Sequence, residues 1–266
     1  IKKISINNDF KKEAINHFNS LIGFLVFLPE MDRLFLLSPS YRRNFIDRFI
    51  FSKNKNYNLL INKYKKNISE RNKILVSNIY DKIWIEKIEE EIAFLGLEIY
   101  KLRLIQIQNL QEHIKKLNSL QKIPYLITLK HIDKYYKNDV DIEIYKKQLK
   151  YNREVDKLIG GAKFGPHRSD FMCFLNETMP ASQLSTGQQK SVVLMIILAQ
   201  CDYLVNETDI RPIVLMDEVC SHLDETNRSI LLKIIEEFDL QTFMTGTEKK
   251  FFSFLSTNTN YCNITV

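Results

Sequence analysis

Two short stretches of this 266-residue chain hold residue types and spacings suited to phosphate and metal chemistry. The first, Leu184 to Lys190, reads LSTGQQK and runs into the apolar helical pattern Val192 to Ala199. Ser185, Gly187 and Gln188 fall at the start of that helix. Unpaired backbone N–H groups and the positive end of the helix dipole suit a phosphate there. The second, Ile213 to Asp224, reads IVLMDEVCSHLD, a short apolar strand ending in the adjacent carboxylates Asp217 and Glu218. One acid at such an edge can hold Mg²⁺ while its neighbour polarises a water. Plainer readings are a helix cap at Ser185-Thr186-Gly187 and a surface turn at Asp217-Glu218; the apolar runs beside both motifs weigh against them.

The usual companion of these motifs is a glycine-rich phosphate loop, G-x-x-x-x-G-K-[ST], in which glycine lets backbone N–H groups crowd around the phosphates. Gly23, Gly96, Gly160, Gly161, Gly165, Gly187 and Gly246 are the glycines of the sequence, and none is followed by Lys-Ser or Lys-Thr. The first residue is Ile1. The expectation is a chain without its N-terminal portion and the phosphate loop within it.

Hydrophobic and charged fractions of 45% and 26% are ordinary for a globular protein. No apolar run approaches the roughly 18–20 residues of a membrane span, and Leu21 to Leu28 lacks the layout of a signal peptide. Cys173, Cys201, Cys220 and Cys262 show no C-x-x-C spacing, which favours reduced thiols in a cytoplasmic protein. Charge is unevenly placed. Residues 41–150 carry 23 Lys+Arg against 13 Asp+Glu, a net +10, whereas residues 151–266 carry 10 against 15, a net −5. A basic middle suits a polyanion such as DNA, or is the solvated face of a Lys-rich helical region.

The elements that must position the motifs follow from periodicity. Ile1 to Ile6 reads as a strand, and Phe10 to Phe27 as helix or strand. Ser38-Pro39-Ser40 opens a helix with Ser38 or Ser40 as N-cap, and Phe45, Ile46, Phe49 and Ile50 share one side of it. A long helix is expected from about Ile79 to Leu120, with a seam at Ile88, Ile92, Leu95, Ile99 and Leu102 that Gln106 and Asn109 interrupt. Asp139 to Asn152 reads as a polar connection. Beyond Gly160, strand-like runs at Phe171 to Leu175, Ile213 to Met216 and Thr242 to Met244 alternate with helices near Gln188 to Val205 and Asn227 to Phe238, the rhythm of a layered α/β unit. His17, His113 and His131 lack metal-binding spacing, and Trp84 is most simply core.

Five segments in order resemble the RecF family, bacterial DNA-repair ATPases of the SMC-like branch of ATP-binding-cassette proteins. They are FLPEMDRLFLLSPSYRRNFID (Phe27 to Asp47), GPHRSDF (Gly165 to Phe171), LSTGQQK (from Leu184), LMDEVCSHLD (from Leu215) and TFMTGTE (from Thr242). The resemblance implies an α/β fold, an incomplete cassette ATPase head of mixed sheet and helices with an inserted, mainly helical lobe. Residues 1–30 would be the remnant of the N-terminal half, 31–150 the lobe, and 151–266 the C-terminal half.

Roles follow residue by residue from the same resemblance. Ser185, Gly187 and Gln188 match a signature motif that reaches the γ-phosphate on a partner subunit. Asp217 matches the Mg²⁺-organising acid and Glu218 the acid that orients attacking water. Many family members have Asp-Asp there. Ser221 to Asp224 matches a loop that touches the opposite subunit, and Thr245 or Thr247 matches a switch position where many cassette ATPases use His. His167 and Arg168 match the family's GPHR, near nucleotide or interface, and Arg42 and Arg43 are DNA or interface candidates.

The implied activity is ATP-dependent DNA binding in replication and recombinational repair, at single-strand gaps and duplex junctions, with recombinase loading. The implied partners are DNA, a second copy in an ATP-dependent homodimer, and recombination mediator proteins, with no membrane. ATP and Mg²⁺ would serve the complete protein, and this chain alone is expected not to hold them tightly. Apolar surface around Val192 to Leu198 is expected to lie exposed. The competing readings are the C-terminal half of another SMC-like ATPase and a non-enzymatic DNA-binding remnant.

Overall fold

The computed structural model describes residues 10–11, 13, 23–77, 81–121, 126–134, 136, 140–208, 210–219, 225–255 and 259–263. The strand expected over Ile1 to Ile6 and the loop Ser221 to Asp224 lie outside them. In chain order the elements are β1 (Gly23–Phe27), a 3-10 turn (Pro29–Arg33), α1 (Pro39–Lys53), α2 (Tyr57–Val76), α3 (Lys82–Gln121), β2 (Ile127–Ile132), α4 (Ile142–Tyr151), α5 (Arg153–Ile159), β3 (Asp170–Leu175), β4 (Met179–Pro180), α6 (Thr186–Glu207), β5 (Pro212–Met216), α7 (Glu225–Glu237) and β6 (Thr242–Met244). They form two compact units, one of residues 1–34, 116–124 and 182–266, the other of residues 35–115 and 125–181. Residues 151–181 therefore fall with the helices of the second unit, whereas the sequence divides the chain at 150.

The first unit is built on a parallel sheet of order β1-β5-β6, registered from Gly23 opposite Pro212 to Phe27 opposite Met216, and from Val214 opposite Thr242 to Met216 opposite Met244. Leu25, Phe27, Val214 and Met216 are buried on one face, and α6 packs against β1 and β5. Val192 to Leu198 are buried, so the expectation that they lie exposed is wrong. A helix apolar on every side is one covered on every side, and VVLMIIL is apolar without a break. Apolar exposure falls instead on the other face of the sheet, at Phe24 and Phe243, which are 44% and 54% exposed.

The second unit holds an antiparallel sheet of order β2-β3-β4, with Ile127 opposite Leu175 and Ile132 opposite Asp170. Phe171 to Leu175 thus belongs to this sheet and not to the α/β layers in which the sequence rhythm places it. Its burial alternates along the strand, as expected where only one face meets a core. The free edge of β2 is closed by a side chain: Gln111 on α3 donates from Nε2 to the Ile127 carbonyl (2.9 Å) and accepts from the Leu129 N–H (2.7 Å). An amide used this way blocks pairing with another chain.

Helix α3, at 40 residues, spans about 60 Å at 1.5 Å per residue. Its seam buries Ile88, Ile92, Leu95 and Ile99 as expected, then continues through Arg103 and Gln106 instead of breaking there. Arg103 is accommodated there because its guanidinium pairs with Asp47 and donates to the Pro166 carbonyl. Helix α4 occupies much of the stretch read as a polar connection. Asp141 caps it by accepting from the Ile144 N–H (2.8 Å), and Tyr145 and Leu149 supply its buried face.

Arg71, 1% exposed, is the centre of the helical packing. It donates to Glu89 on α3 (2.9 Å), to Asp156 on α5 (2.7 Å) and to the Leu149 carbonyl at the end of α4 (2.7 Å). Arg153 adds two bonds to Glu89, and Asp156 also accepts the Lys163 N–H (2.7 Å). Removing one member of such a buried cluster leaves charge without compensation. Arg71→Met should therefore lower unfolding stability by about 3–5 kcal/mol in chemical denaturation. Lys63→Met, which breaks a largely exposed pair with Glu91, should cost less than about 1 kcal/mol. Equal losses in the two variants would refute the central role of Arg71.

Candidate functional site

In the first unit the start of α6 is built by the LSTGQQK segment. Ser185 has the extended backbone of an N-cap; its Oγ accepts from the Gln188 N–H (3.3 Å), and Gln188 Oε1 accepts from the Ser185 N–H (3.1 Å). This reciprocal box occupies the amides of Ser185 and Gln188 and leaves those of Thr186 and Gly187 outside it. Ser185, Thr186 and Gln188 are exposed and Gly187 is half-buried, so this helix end offers both N–H groups and dipole to an anion. The next two residues turn inward. Gln189 donates to the Leu184 carbonyl (2.9 Å), and Lys190, 1% exposed, enters the core.

The two acids stand at the C-terminal edge of the parallel sheet, where α/β sheets place their ligands. The Asp217 N–H donates to the Phe27 carbonyl at the end of β1 (2.9 Å). The Thr245 hydroxyl, just past β6, donates to Asp217 Oδ1 and accepts the Glu218 N–H (3.3 Å). Thr245 is in turn fixed by its own N–H, which bonds the Met216 carbonyl (2.9 Å). Glu218 sits at φ +52, a left-handed conformation that costs a non-glycine residue about 1–3 kcal/mol. It is held there from both sides, by Thr245 at its N–H and by Lys190 Nζ at its carbonyl (3.0 Å).

The structure thus brings Asp217, Glu218 and Thr245 together, and Thr247 lies exposed after them. Asp224 and His222 lie outside the described residues. Lys190 is the functional residue that the sequence does not single out: between Gln189 and Ser191 it reads as part of an exposed helix start, and only its burial and contacts distinguish it. Among the described residues no group of three or more His, Cys, Asp or Glu side chains could hold a metal. Asp217 nevertheless fits the needs of Mg²⁺, a hard carboxylate oxygen to which phosphates and water supply the remaining ligands.

In the second unit Arg42 and Arg43 serve the fold. Arg42 is buried, with Nε and Nη2 on the two oxygens of Asp170 (2.8 and 2.7 Å) and Nη1 on the carbonyls of Phe35 and Leu37. Its guanidinium is spent, which removes it as a surface contact. Arg43, half-buried, donates to the Ser169 carbonyl (2.7 Å), and burial followed by the charge of Arg103 lowers its pKa. Arg103 clasps Asp47 through two bonds of 2.8 Å and holds the Pro166 carbonyl (2.6 Å).

These arginines fasten the GPHR loop around Gly165, whose φ of +134 and closeness to Tyr64 and Tyr145 leave no room for a Cβ. His167 Nε2 lies 2.7 Å from the Ala162 carbonyl and so donates to it; Nδ1 then accepts from the Tyr64 hydroxyl (2.8 Å). In the neutral ring both nitrogens are thereby satisfied. Arg168 is the exposed member of the loop, with Nε on the Ala162 carbonyl (3.1 Å). Cys173 and Cys201 are free and buried, and burial pushes both thiols up to about 12, which makes them inert. Among the described residues no helix is long and apolar enough to cross a membrane.

Comparison with known proteins gives a consistent picture. The family model described as the RecF/RecN/SMC N terminal domain matches residues 39–263. A DNA replication and repair protein RecF from Rickettsia bellii is 32% identical over 242 residues, covering 90% of this chain and 67% of that protein. The corresponding protein of Rickettsia felis is 33% identical over 245 residues, covering 89% and 66%. The chain therefore spans about two thirds of the length of these relatives. Among solved structures, a recombination mediator protein RecF with ATPrS superposes with a TM-score of 0.77 at 23% identity, over 96% of this chain and 69% of that one. A RecF–ATP structure of the RecFOR pathway gives 0.73 at 26% identity, over 86% and 64%.

Burial, helped by the charges of Arg168, Arg43 and Arg103, holds His167 down to about 4, against 6.5 in an unfolded chain. The unfolded state then binds more protons between these values, so stability is complete above pH 6.5 and falls as pH drops towards 4. From pH 7 to pH 5 this amounts to about 2 kcal/mol, in a window above most carboxylate titrations. His131, also lowered by burial, adds in the same direction. Denaturation curves of His167→Gln should show a visibly shallower pH slope across that window; an unchanged slope would exclude His167 as its source.

Proposed function

The chain belongs to the RecF family of DNA replication and repair proteins, and from that premise we propose that it acts as one protomer of an ATP-dependent DNA clamp. ATP would be shared between two copies. Ser185, Gly187 and Gln188 on one would close over the γ-phosphate of a nucleotide held by the other. The observation that carries this reading is the start of α6, where the capping box leaves the Thr186 and Gly187 amides for an anion from outside the unit. Asp217 would hold Mg²⁺ against the phosphates, Glu218 would orient a water, and the metal would neutralise charge at the transferring phosphoryl group. ATP then acts as the glue of the dimer and hydrolysis opens it.

DNA would lie on the basic middle of the chain. Because Arg42 is buried, the polar face of α2 is the better surface, with Lys65, Lys66 and Lys73 exposed alongside Asn58, Asn62 and Ser69. Backbone phosphates are recognised by such a face without reading sequence. Gap or junction recognition and assistance from recombination mediator proteins complete the proposed role.

Sedimentation of the full-length protein tests the clamp. ATP should convert monomer to dimer, Ser185→Arg should abolish the shift, and Glu218→Gln should prolong it. A shift that survives Ser185→Arg would refute closure through the α6 terminus. For DNA, the triple change of Lys65, Lys66 and Lys73 to Glu should flatten the dependence of log affinity on log salt by about two to three units. An unaltered slope would move the DNA surface elsewhere.

A further inference from the structure

Lys190 is a charged side chain in a place where an apolar one would ordinarily be found. It lies in the second turn of α6, between the exposed capping box and the apolar run that begins at Val192. Its side chain is 2% exposed. Its ammonium donates to the Glu218 carbonyl (3.0 Å), lies 3.5 Å from Asp32 Oδ2 in the 3-10 turn after β1, and stands 5.6 Å above the Phe27 ring. A methionine of similar length would fill the volume without the cost of burying a charge. What an ammonium adds is direction and charge: it donates to a carbonyl on one segment, pairs with a carboxylate on a second and meets an aromatic face.

The carbonyl it grips belongs to the residue with the strained backbone. Glu218 is held at φ +52 between the Thr245 hydroxyl on its N–H and Lys190 on its carbonyl. The Thr245 side of this clamp comes from the sheet itself. The Lys190 side comes from the helix whose exposed end carries Ser185 and Gln188.

Resting on the clamp reading above, we propose that Lys190 is a positioning residue tying the α6 terminus to the Glu218 turn. The groups offered to a nucleotide on a second copy and the acid offered to the chain's own nucleotide then move as one body. Closure on one nucleotide would thereby set the acid at the other.

Hydrogen exchange in the purified chain reads the tether without any nucleotide. Lys190→Met should speed exchange of peptides covering residues 214–219 by about tenfold or more, with α2 and α3 unaffected, and Lys190→Arg should restore most of the protection. No change in Lys190→Met, or equal loosening in both variants, overturns the tether. If Lys190→Met does not fold, Asp32→Asn decides in its place: faster exchange confined to 214–219 supports the tether, and none overturns it. In the full-length protein Lys190→Met should lower kcat for ATP about tenfold with KM within about threefold, and Lys190→Arg should recover it. A loosened turn with wild-type kcat overturns the positioning role. A wild-type protein that neither dimerises with ATP nor hydrolyses it would instead refute the clamp reading, while the exchange result still decides the tether.

Discussion

The first unit depends on one buried cation. An ammonium withdrawn from water is tolerable only where its charge and its N–H groups are answered, and around Lys190 the answers come from three segments. Asp32 follows β1, Phe27 ends β1, and Glu218 follows β5. The lysine therefore fixes where the 3-10 turn, the edge of the sheet and the acidic turn meet. The left-handed backbone at Glu218 persists because hydrogen bonds on both sides over-determine it.

The second unit solves a similar problem differently. Arg42, Arg71 and Arg103 are also buried, but each faces carboxylates bidentately or in a cluster: Arg42 with Asp170, Arg103 with Asp47, Arg71 with Glu89 and Asp156. The planar guanidinium suits such forks and carries further bonds to carbonyls at helix and loop ends. The outcome is a GPHR loop whose shape is set by partners on α1, α2 and α3, and a neutral, half-buried His167 among positive charges. Neutrality there follows from burial and the neighbouring positive charges, and in the neutral ring Nε2 donates while Nδ1 accepts.

What could be read from the sequence was local. The strand before Asp217 is a run of apolar residues and the long helix repeats its own seam, so both are legible without knowledge of the fold, whereas the helix cap at Ser185, the less favoured reading of that segment, is present as a reciprocal box. Arg42 was misread because its partner lies 128 residues away, and a guanidinium on a helix looks the same whether it faces water or Asp170. Strand β2 leaves no clear signal in the sequence, and helix α4 reads there as a polar connection. Their apolar content is modest, and their pairing with β3 and packing against α3 exist only in three dimensions. Lys190 belongs to the same class: flanked by Gln189 and Ser191 it looks like part of a polar helix start, while its partners lie in the turn after β1 and the turn after β5.

Thr245 shows how far substitution at one position reshapes a site. A hydroxyl has one proton, and Thr245 gives it to Asp217 while accepting from the Glu218 N–H. In this arrangement that proton is not available to a phosphate oxygen. A histidine at the same place could present an N–H outward while its other nitrogen faced the protein. With threonine, the side chain binds the two acids to β6 instead. A cation drawn to Asp217 must compete with that hydroxyl for the carboxylate or share it through the second oxygen. A change at Asp217 therefore reaches Thr245 directly and, through the same hydroxyl, the N–H of Glu218.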